Sequence, residues 1–396
     1  MRNIFFIHRF PFSKEAFIRD EFEYFIDKGY NVKYLDISNL LKKKNIGVKY
    51  PETLQEHIIP FESKKEFGNF LMDNKEGSVI VTDVGLLSNS AWMYVAVFKA
   101  KLPYILFEHS VLPRIRTTGK QVSKVSLLKI GKRFRYEKIY KKPAELLMYW
   151  LAKTKLYPAE VIITSKPKLS SEKRTLRGPK TIIKYTASLD YNAAMAVGDE
   201  ITVNEPYAVF VDQYFVHHPD FKTNHIVHFF SAEEYYGELN KFLNDFSAHT
   251  GLKMVIASHP RRSEEQAKDF DPEFEIYYNK TAELVKNSTI ALIHFSTAIN
   301  YAVIFKKPFM LLNSSLFKNS NVSEEVMRFS KYFNKEAVNM SDYENVLNSL
   351  DEKIYDIDES KYKAFLDLYI KHPNAENETF KHQIEFALAR IDTKLD

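Results

Sequence analysis

Two short runs carry side chains of the types that can hold a phosphate. One reads Ala257-Ser258-His259-Pro260-Arg261-Arg262, the other Ile293-His294-Phe295-Ser296-Thr297. An imidazole and a guanidinium donate to phosphate oxygens, and so do paired hydroxyls. The start of a helix adds backbone N–H groups and the positive end of its dipole. Asp212-Gln213 follows the apolar run Tyr207–Val211, and Glu108 follows Tyr104–Phe107. A carboxylate in such a place serves as nucleophile, general base or general acid. Each group also has a plain structural use. His-Pro makes a turn, Ser-Thr caps a helix, Asp212 fits a turn, and Glu108 fits an exposed or capping acid. His217, His218, His225 and His228 cluster in sequence, but their spacing matches no tight metal motif and the chain has no Cys. No metal is expected, and His217 or His218 reads as a hydrogen-bonding group beside the site.

The elements that position these residues follow from apolar spacing. Lys253–Ser258, Thr289–His294 and Phe309–Leu312 are short buried-type runs. Apolar residues at helical spacing over Thr297–Phe305 separate the last two, and Lys307-Pro308 stops that helix. Strand, helix, strand, helix, strand is the pattern of a parallel sheet, whose ligands sit at the carboxyl ends of its strands. Pro260 suits a first helical position, and Ser296 or Thr297 suits a cap. The chain also opens in this pattern. Asn3–His8 is a strand, Ser13 caps a helix with Ile18, Phe22, Phe25 and Ile26 on one stripe, Gly29 ends it, and Val32–Ile37 is the next strand. Ser78–Asp83, the helix Ala91–Ala100 and Tyr104–Phe107 continue it. Gly198–Glu205 is polar and reads as a linker. The expected domains are 1–203, 204–375 and a tail, 376–396, whose helix carries Phe380, Ile384, Leu388 and Ile391 on one face.

The 396 residues suffice for two domains with ample core, and 45% hydrophobic against 27% charged composition is that of a folded protein. Without Cys there are no disulfides, thiolate zinc sites or thiol catalysis. No apolar run approaches the roughly 20 residues of a membrane helix, and Met1–Ile7 is too short for a signal peptide. A cytoplasmic protein is therefore expected. The net charge of +5 is uneven, with thirteen Lys/Arg against Glu137 and Glu145 between Arg114 and Lys155. Three uses of that stretch stay open: a solvated helical face, attraction to an anionic lipid surface or acceptor, and nucleic acid. No nucleic-acid motif accompanies it, so the expected partners are a donor, an acceptor and, peripherally, an anionic membrane.

The opening FPFSKEAFIRDEFEYFIDKGYNVKYLDI resembles the first unit of GT-B glycosyltransferases. The resemblance implies an α/β fold of two Rossmann-like domains with parallel sheets facing a central cleft. It implies an acceptor in the N-terminal domain, a nucleotide sugar in the C-terminal one, and a final helix that crosses back. The second half is similar to bacterial transferases that use CMP-activated sialic acid or Kdo, through His259-Pro260 and Ser296-Thr297. In that family the His supports the departing CMP phosphate and the hydroxyls hold it. The resemblance thus implies donor contacts from His259, Pro260, Arg261, Ser296, Thr297 and Gln213, with no cofactor beyond the donor itself. Retaining Kdo transferases carry an Asp early in the C-terminal domain and a Glu in the N-terminal one, and Asp212 and Glu108 occupy comparable places. The Asp/Glu-Asp/Glu-Gly triplet of several sialyltransferase families is absent, which moves the resemblance toward the Kdo type.

The chemistry expected is transfer of a CMP-activated ulosonic acid to a surface-polysaccharide acceptor. The leaving phosphate needs positive charge and hydroxyl donors, and the oxocarbenium-like carbon needs a carboxylate on its reacting face. Asp212 serves as nucleophile in a retaining route or as base in an inverting one, Glu108 assists the acceptor hydroxyl, and Arg261 neutralises the donor. Resemblance alone favours retention. The alternatives are a CMP-sialic or pseudaminic acid transferase, an NDP-hexose transferase of the same fold, and a basic glycan- or lipid-binding scaffold without catalysis.

Overall fold

The computed structural model describes residues 2–41, 52–108, 147, 150, 157–217, 230–318, 321–350, 352–376 and 378–393. The basic stretch 114–155 lies outside them apart from Leu147 and Trp150, as do His218, His225 and His228. No helix among the described residues is long and apolar enough to cross a membrane.

The chain divides into two compact units. Of the described residues, those up to 108, 157–187 and 374–393 make the first, and 188–373 make the second.

The first unit is a seven-stranded parallel sheet. Its strands are β1 (Asn3–Ile7), β2 (Asn31–Asp36), β3 (Ile58–Pro60), β4 (Ser78–Thr82), β5 (Tyr104–Glu108), β6 (Val161–Thr164) and β7 (Ile182–Tyr185), in the order β3-β2-β1-β4-β5-β6-β7. Side chains alternate faces along a strand, so a sheet covered on both sides needs apolar residues at every position. β1 meets this need. Phe5 and Ile7 enter one core with Leu35, Ile80, Leu106 and Ile162; Ile4 and Phe6 enter the other with Tyr34, Val81, Ile105 and Ile163. Helices Lys64–Asp73 and Ala91–Ala100 contribute Phe67, Leu71, Trp92 and Met93 to the first core. The second core takes Phe22 and Phe25, and also Phe380, Ile384, Leu388 and Ile391 from the last helix, Phe380–Asp392. That helix therefore completes the first unit's own core, tied by Gln383 to Thr186 and by Tyr24 to Glu385.

The expected helix after Ser13 is in fact two, Lys14–Arg19 and Phe22–Asp27. Glu21 between them sits at φ 55, a left-handed conformation uncommon for a residue with a Cβ. The break leaves Ile18 65% exposed, off the stripe it was assigned to. The physical reason is Asp20, whose carboxylate turns from the helix to His8 at the end of β1 (2.7 Å).

The second unit is a six-stranded parallel sheet. Its strands are β8 (Tyr207–Val211), β9 (Lys253–Ser258), β10 (Glu275–Tyr278), β11 (Ile290–Ile293), β12 (Phe309–Asn313) and β13 (Ala337–Asn339), in the order β10-β9-β8-β11-β12-β13. Helix Ala232–Thr250 crosses from β8 to β9. Ser231 and Glu234 form a reciprocal capping box at its start, and Gly251 ends it at φ 69, where a Cβ would be strained. The polar run at 198–205 is a loop inside this unit, and the division falls earlier, at Ser188. Helix Leu189–Met195 belongs with the second unit because it packs on helix Ile299–Ile304, where Asn300 donates to Asp190 (2.6 Å). Polar composition marked a solvated loop there, not a domain boundary.

The last helix gives a test of this division. Ile384 is fully buried in the first unit's core. Ile384→Ala is expected to destabilise that unit by about 2–5 kcal/mol. Urea unfolding followed by hydrogen exchange should show amides of β1 and β4 losing protection while those of β8 and β11 keep theirs.

Candidate functional site

The strand order of the second unit reverses between β8 and β11, so the crevice at that switch point is where an open parallel sheet binds its ligand. Asp212-Gln213 directly follows β8, and these two residues reach to both sides. On one side Asp212 Oδ2 accepts from the backbone N–H of His259, past the end of β9 (3.3 Å). On the other, Gln213 Oε1 accepts from the backbone N–H of Phe295, past the end of β11 (3.0 Å). One dipeptide thus joins the His259 turn to the turn that holds Ser296 and Thr297. The strands carrying the two motifs are not neighbours, since β8 lies between them, but their ends share one edge.

Asp212 is 3% exposed. Its Oδ2 accepts from Arg262 Nε (2.7 Å), its Oδ1 from the Tyr214 N–H (2.8 Å) and from a second Arg262 nitrogen (3.3 Å). Arg262 in turn pairs with Asp269 (2.6 Å), donates to the Gln266 carbonyl (2.9 Å) and meets the Tyr236 hydroxyl. The rings of Tyr214, Tyr236 and Phe270 surround its guanidinium at 4.8–5.2 Å. A carboxylate so engaged acts here by holding His259 and Arg262 in place. Arg262 is the residue whose use the sequence did not disclose. It reads as one of two adjacent arginines for a phosphate, yet it is buried, whereas Arg261 is exposed.

The imidazole of His259 stacks on Tyr214 (ring centroids 5.6 Å apart, planes 16° apart). Its Nδ1 accepts the Arg261 backbone N–H (3.1 Å), which places the ring proton of the neutral form on Nε2. A donor with a fixed direction results. The helix expected to start at Pro260 does not form: a turn and a 3₁₀ segment, Glu264–Asp269, follow His259, because Ser263 and Gln266 cap that segment and Arg262 is drawn inward. The twenty-odd polar residues before Thr289 also hide β10 and the helix Thr281–Asn287.

Past β11, helix Ile299–Ile304 starts two residues later than expected, with Ala298 in the capping position. Ser296 Oγ accepts from the Ala298 N–H (3.2 Å), and Thr297 is exposed. Beside Pro260 opens a cavity of about 580 Å³, lined also by Asn279, Lys280, Thr281, Glu283 and Tyr301. That volume is in the range of small-ligand sites. Gln213, His259, Pro260, Arg261, Ser296 and Thr297 therefore all lie at the carboxyl edge of β9, β8 and β11.

Two further histidines are structural. His217 Nε2 meets Asp269 (3.1 Å), extending the Arg262 network. His294 is fully buried: its Nδ1 donates to the Leu312 carbonyl (2.8 Å) and its Nε2 accepts from Tyr235 (3.0 Å). Burial pushes its pKa down to about 4, against smaller raising effects from the Leu312 carbonyl and Asp212. Among the described residues no three His, Asp or Glu side chains converge as a metal site requires. Glu108 ends β5 in the first unit, where Thr164 and Lys166 approach its two oxygens at 3.4 Å and its side chain is 4% exposed.

No protein family matches this sequence, and no curated protein is similar to it. The fold, by contrast, matches known structures over the whole chain. A histidine variant of the wall teichoic acid polymerase TagF aligns with all of this chain and 90% of its own, at 11% identity and TM-score 0.51. TagF soaked with CDPG aligns with all of this chain and 90% of its own, at 12% identity and TM-score 0.50. MurG from Acinetobacter baumannii aligns with 98% of this chain and 100% of its own, at 9% identity and TM-score 0.45. The fold is GT-B. Two α/β units, each built on one parallel sheet, give that architecture its sites at strand ends.

Two stability outcomes follow from this geometry. Asp212→Ala takes from the buried Arg262 guanidinium one of its two carboxylate partners, leaving Asp269, and is expected to cost about 3 kcal/mol, with much of it regained in Asp212→Ala/Arg262→Met; urea midpoints measure both. His294 must stay neutral in the fold. Its folded pKa of about 4 lies below its ordinary 6.5, so its contribution is complete above pH 6.5 and is lost as pH falls toward 4. That loss amounts to about 3 kcal/mol. Urea midpoints at pH 7 and pH 4 should differ less in His294→Gln than in the native protein.

Proposed function

We propose that the protein is a glycosyltransferase that moves an ulosonic acid such as Kdo from its CMP donor to a glycan acceptor. The observation that carries this reading is the Asp212-Gln213 dipeptide, which brings an oriented imidazole and a Ser-Thr pair to one edge of one sheet. In this reading the Nε2–H of His259 donates to the leaving phosphate, and the hydroxyls of Ser296 and Thr297 take its other oxygens. Arg261 supplies charge. The cavity beside Pro260 takes the nucleoside, with Lys280 and Glu283 at hand for its polar edges. Such donors hold a departing phosphate without a metal, since charge and N–H groups do the neutralising. A diphosphate donor is the second reading, favoured by the TagF structure soaked with CDPG.

Asp212 enters as a positioning group. A retaining route through it would require its bonds to Arg262 to be given up, which favours direct displacement by the acceptor oxygen. The acceptor belongs with the first unit, where Glu108 stands at a strand end. Peripheral attraction of the 114–155 stretch to an anionic membrane would bring the protein to lipid-linked acceptors.

A thermal-shift panel with CMP, CDP, UDP and GDP tests the donor class. At a hundred times its dissociation constant a ligand stabilises by about 2.7 kcal/mol, a rise of a few degrees. CMP should raise the melting temperature, with His259→Ala and Ser296→Ala/Thr297→Ala removing the rise. A rise with UDP or GDP and none with CMP or CDP would overturn the reading.

A further inference from the structure

The second unit holds a cavity at the opposite edge of its sheet. It has a volume of about 600 Å³ and lies beside Phe309 and Ala337, the first residues of β12 and β13. The strands are parallel, so the turns after β8, β9 and β11 lie at their other ends. That volume suits a small ligand. Phe309 and Phe333 are buried in its wall, whereas Val346, Leu350, Ile354 and Ile357 line it while only half-buried. These four aliphatic side chains keep apolar surface in water that a ligand would cover.

One cation is built into this wall. Helix Asn321–Phe333 ends at Asn334, whose backbone is left-handed (φ 55), and the Lys335 N–H returns to the Ser330 carbonyl (3.0 Å). A left-handed residue is a common helix stop, and here it turns Lys335 toward the cavity. The ammonium lies 5.5 Å from the centre of the Phe309 ring and donates to the Asp356 carbonyl (2.8 Å). An ammonium has three N–H donors, and among the described residues neither a second acceptor nor a carboxylate pairs with this one. Burial holds its pKa below the usual lysine range, against a smaller upward pull from Asp356. The other charged groups of the lining, Glu336, Lys353, Asp356 and Asp358, are exposed, and water weakens their fields. A helix end favours a nearby cation, which accounts for a lysine at this position. It does not use the remaining donors or the aliphatic wall.

We propose that this cavity binds a small amphiphilic monocarboxylate, its chain on the aliphatic wall and its head on Lys335. The proposal is independent of the transferase reading, because it involves neither the His259 edge nor the first unit. An aliphatic chain covers the four half-buried side chains, and the carboxylate takes the free donors of a cation that has given up part of its hydration. Hydrogen bonds between two ions are the stronger class. A cationic head would be repelled by the same lysine, and a neutral one would gain only a weak bond from it.

Decanoate, decanol and decylamine share one chain and differ in the head, so titrating the full-length protein with each separates the wall from the lysine. At neutral pH decanoate should bind at least about fivefold more tightly than decanol, although the alcohol leaves water more readily. Decylamine, a cation at that pH, should bind more weakly than either. Lys335→Met should remove the advantage of decanoate and leave decanol within about twofold of native. In methyl NMR, decanoate should shift Val346, Leu350, Ile354 and Ile357 and leave Val211 and Ile293, at the carboxyl ends of β8 and β11, in place. Excess CMP should not displace it. A preference for decanol or decylamine, or an advantage that survives Lys335→Met, overturns the proposal. So does displacement by CMP, or shifts confined to Val211 and Ile293. Should Lys335→Met fail to fold, the comparison of heads and the methyl shifts of the native protein decide. Should CMP fail to bind, the donor reading falls alone, and the decanoate titration still decides this site.

Discussion

The buried pair of Asp212 and Arg262 is the constraint on which the second unit's site depends. Moving two ions out of water costs several kcal/mol each, and the cost is offset only when every oxygen and nitrogen finds a partner. Here the partners are supplied by the neighbouring turn. Asp212 takes the N–H groups of Tyr214 and His259, and Arg262 takes Asp269, the Gln266 carbonyl and three aromatic rings. Tyr214 accepts a left-handed backbone (φ 54) to do this, and its ring then forms the platform for His259. The direction in which His259 donates is thus a by-product of satisfying a buried ion pair whose Arg262 lies three residues on.

Both units place their polar groups where strand order reverses, yet they treat a buried imidazole in opposite ways. His294 sits among apolar side chains, with a carbonyl and a phenol for partners, and burial keeps it neutral. His8 sits between two carboxylates, whose charges override the same burial and keep it cationic. The decisive quantity is not depth but the charge within contact distance. One histidine braces β11 against β12 and the helix Ala232–Thr250; the other ties the end of β1 to Asp20 and Asp83.

The first unit shows how a distant polar contact reshapes local structure. The sequence around Ile18 and Phe22 has helical periodicity, and each half does form a helix. At the join Asp20 bonds His8 and Arg19, and Glu21 beside it takes a left-handed backbone. The last helix makes the complementary point. Its apolar stripe of Phe380, Ile384, Leu388 and Ile391 has no partner nearby in sequence, and it finds one under β1, β4 and β5 of the first unit.

Most strand positions, the parallel sheets, the terminal amphipathic helix and the placement of Asp212, Glu108, His259 and Ser296 at strand ends were legible in the sequence. Apolar runs of four to six residues bounded by polar turns leave few other solutions. The uses of those residues were not legible. Arg261 and Arg262 are adjacent and alike in sequence, and only the fold sends one into an aromatic cage beside Asp212 and the other outward. β10 escaped notice because its pattern is half-buried and partly polar, at the edge of its sheet. The boundary at Ser188 escaped because it depends on which helix Asp190 meets. His8, Asp20 and Asp83 are far apart along the chain, and nothing in their spacing brings them together. Periodicity is a local property that the chain carries with it. Burial, ionic pairing and access to solvent are properties of neighbours, and the neighbours exist only once the strands have been ordered.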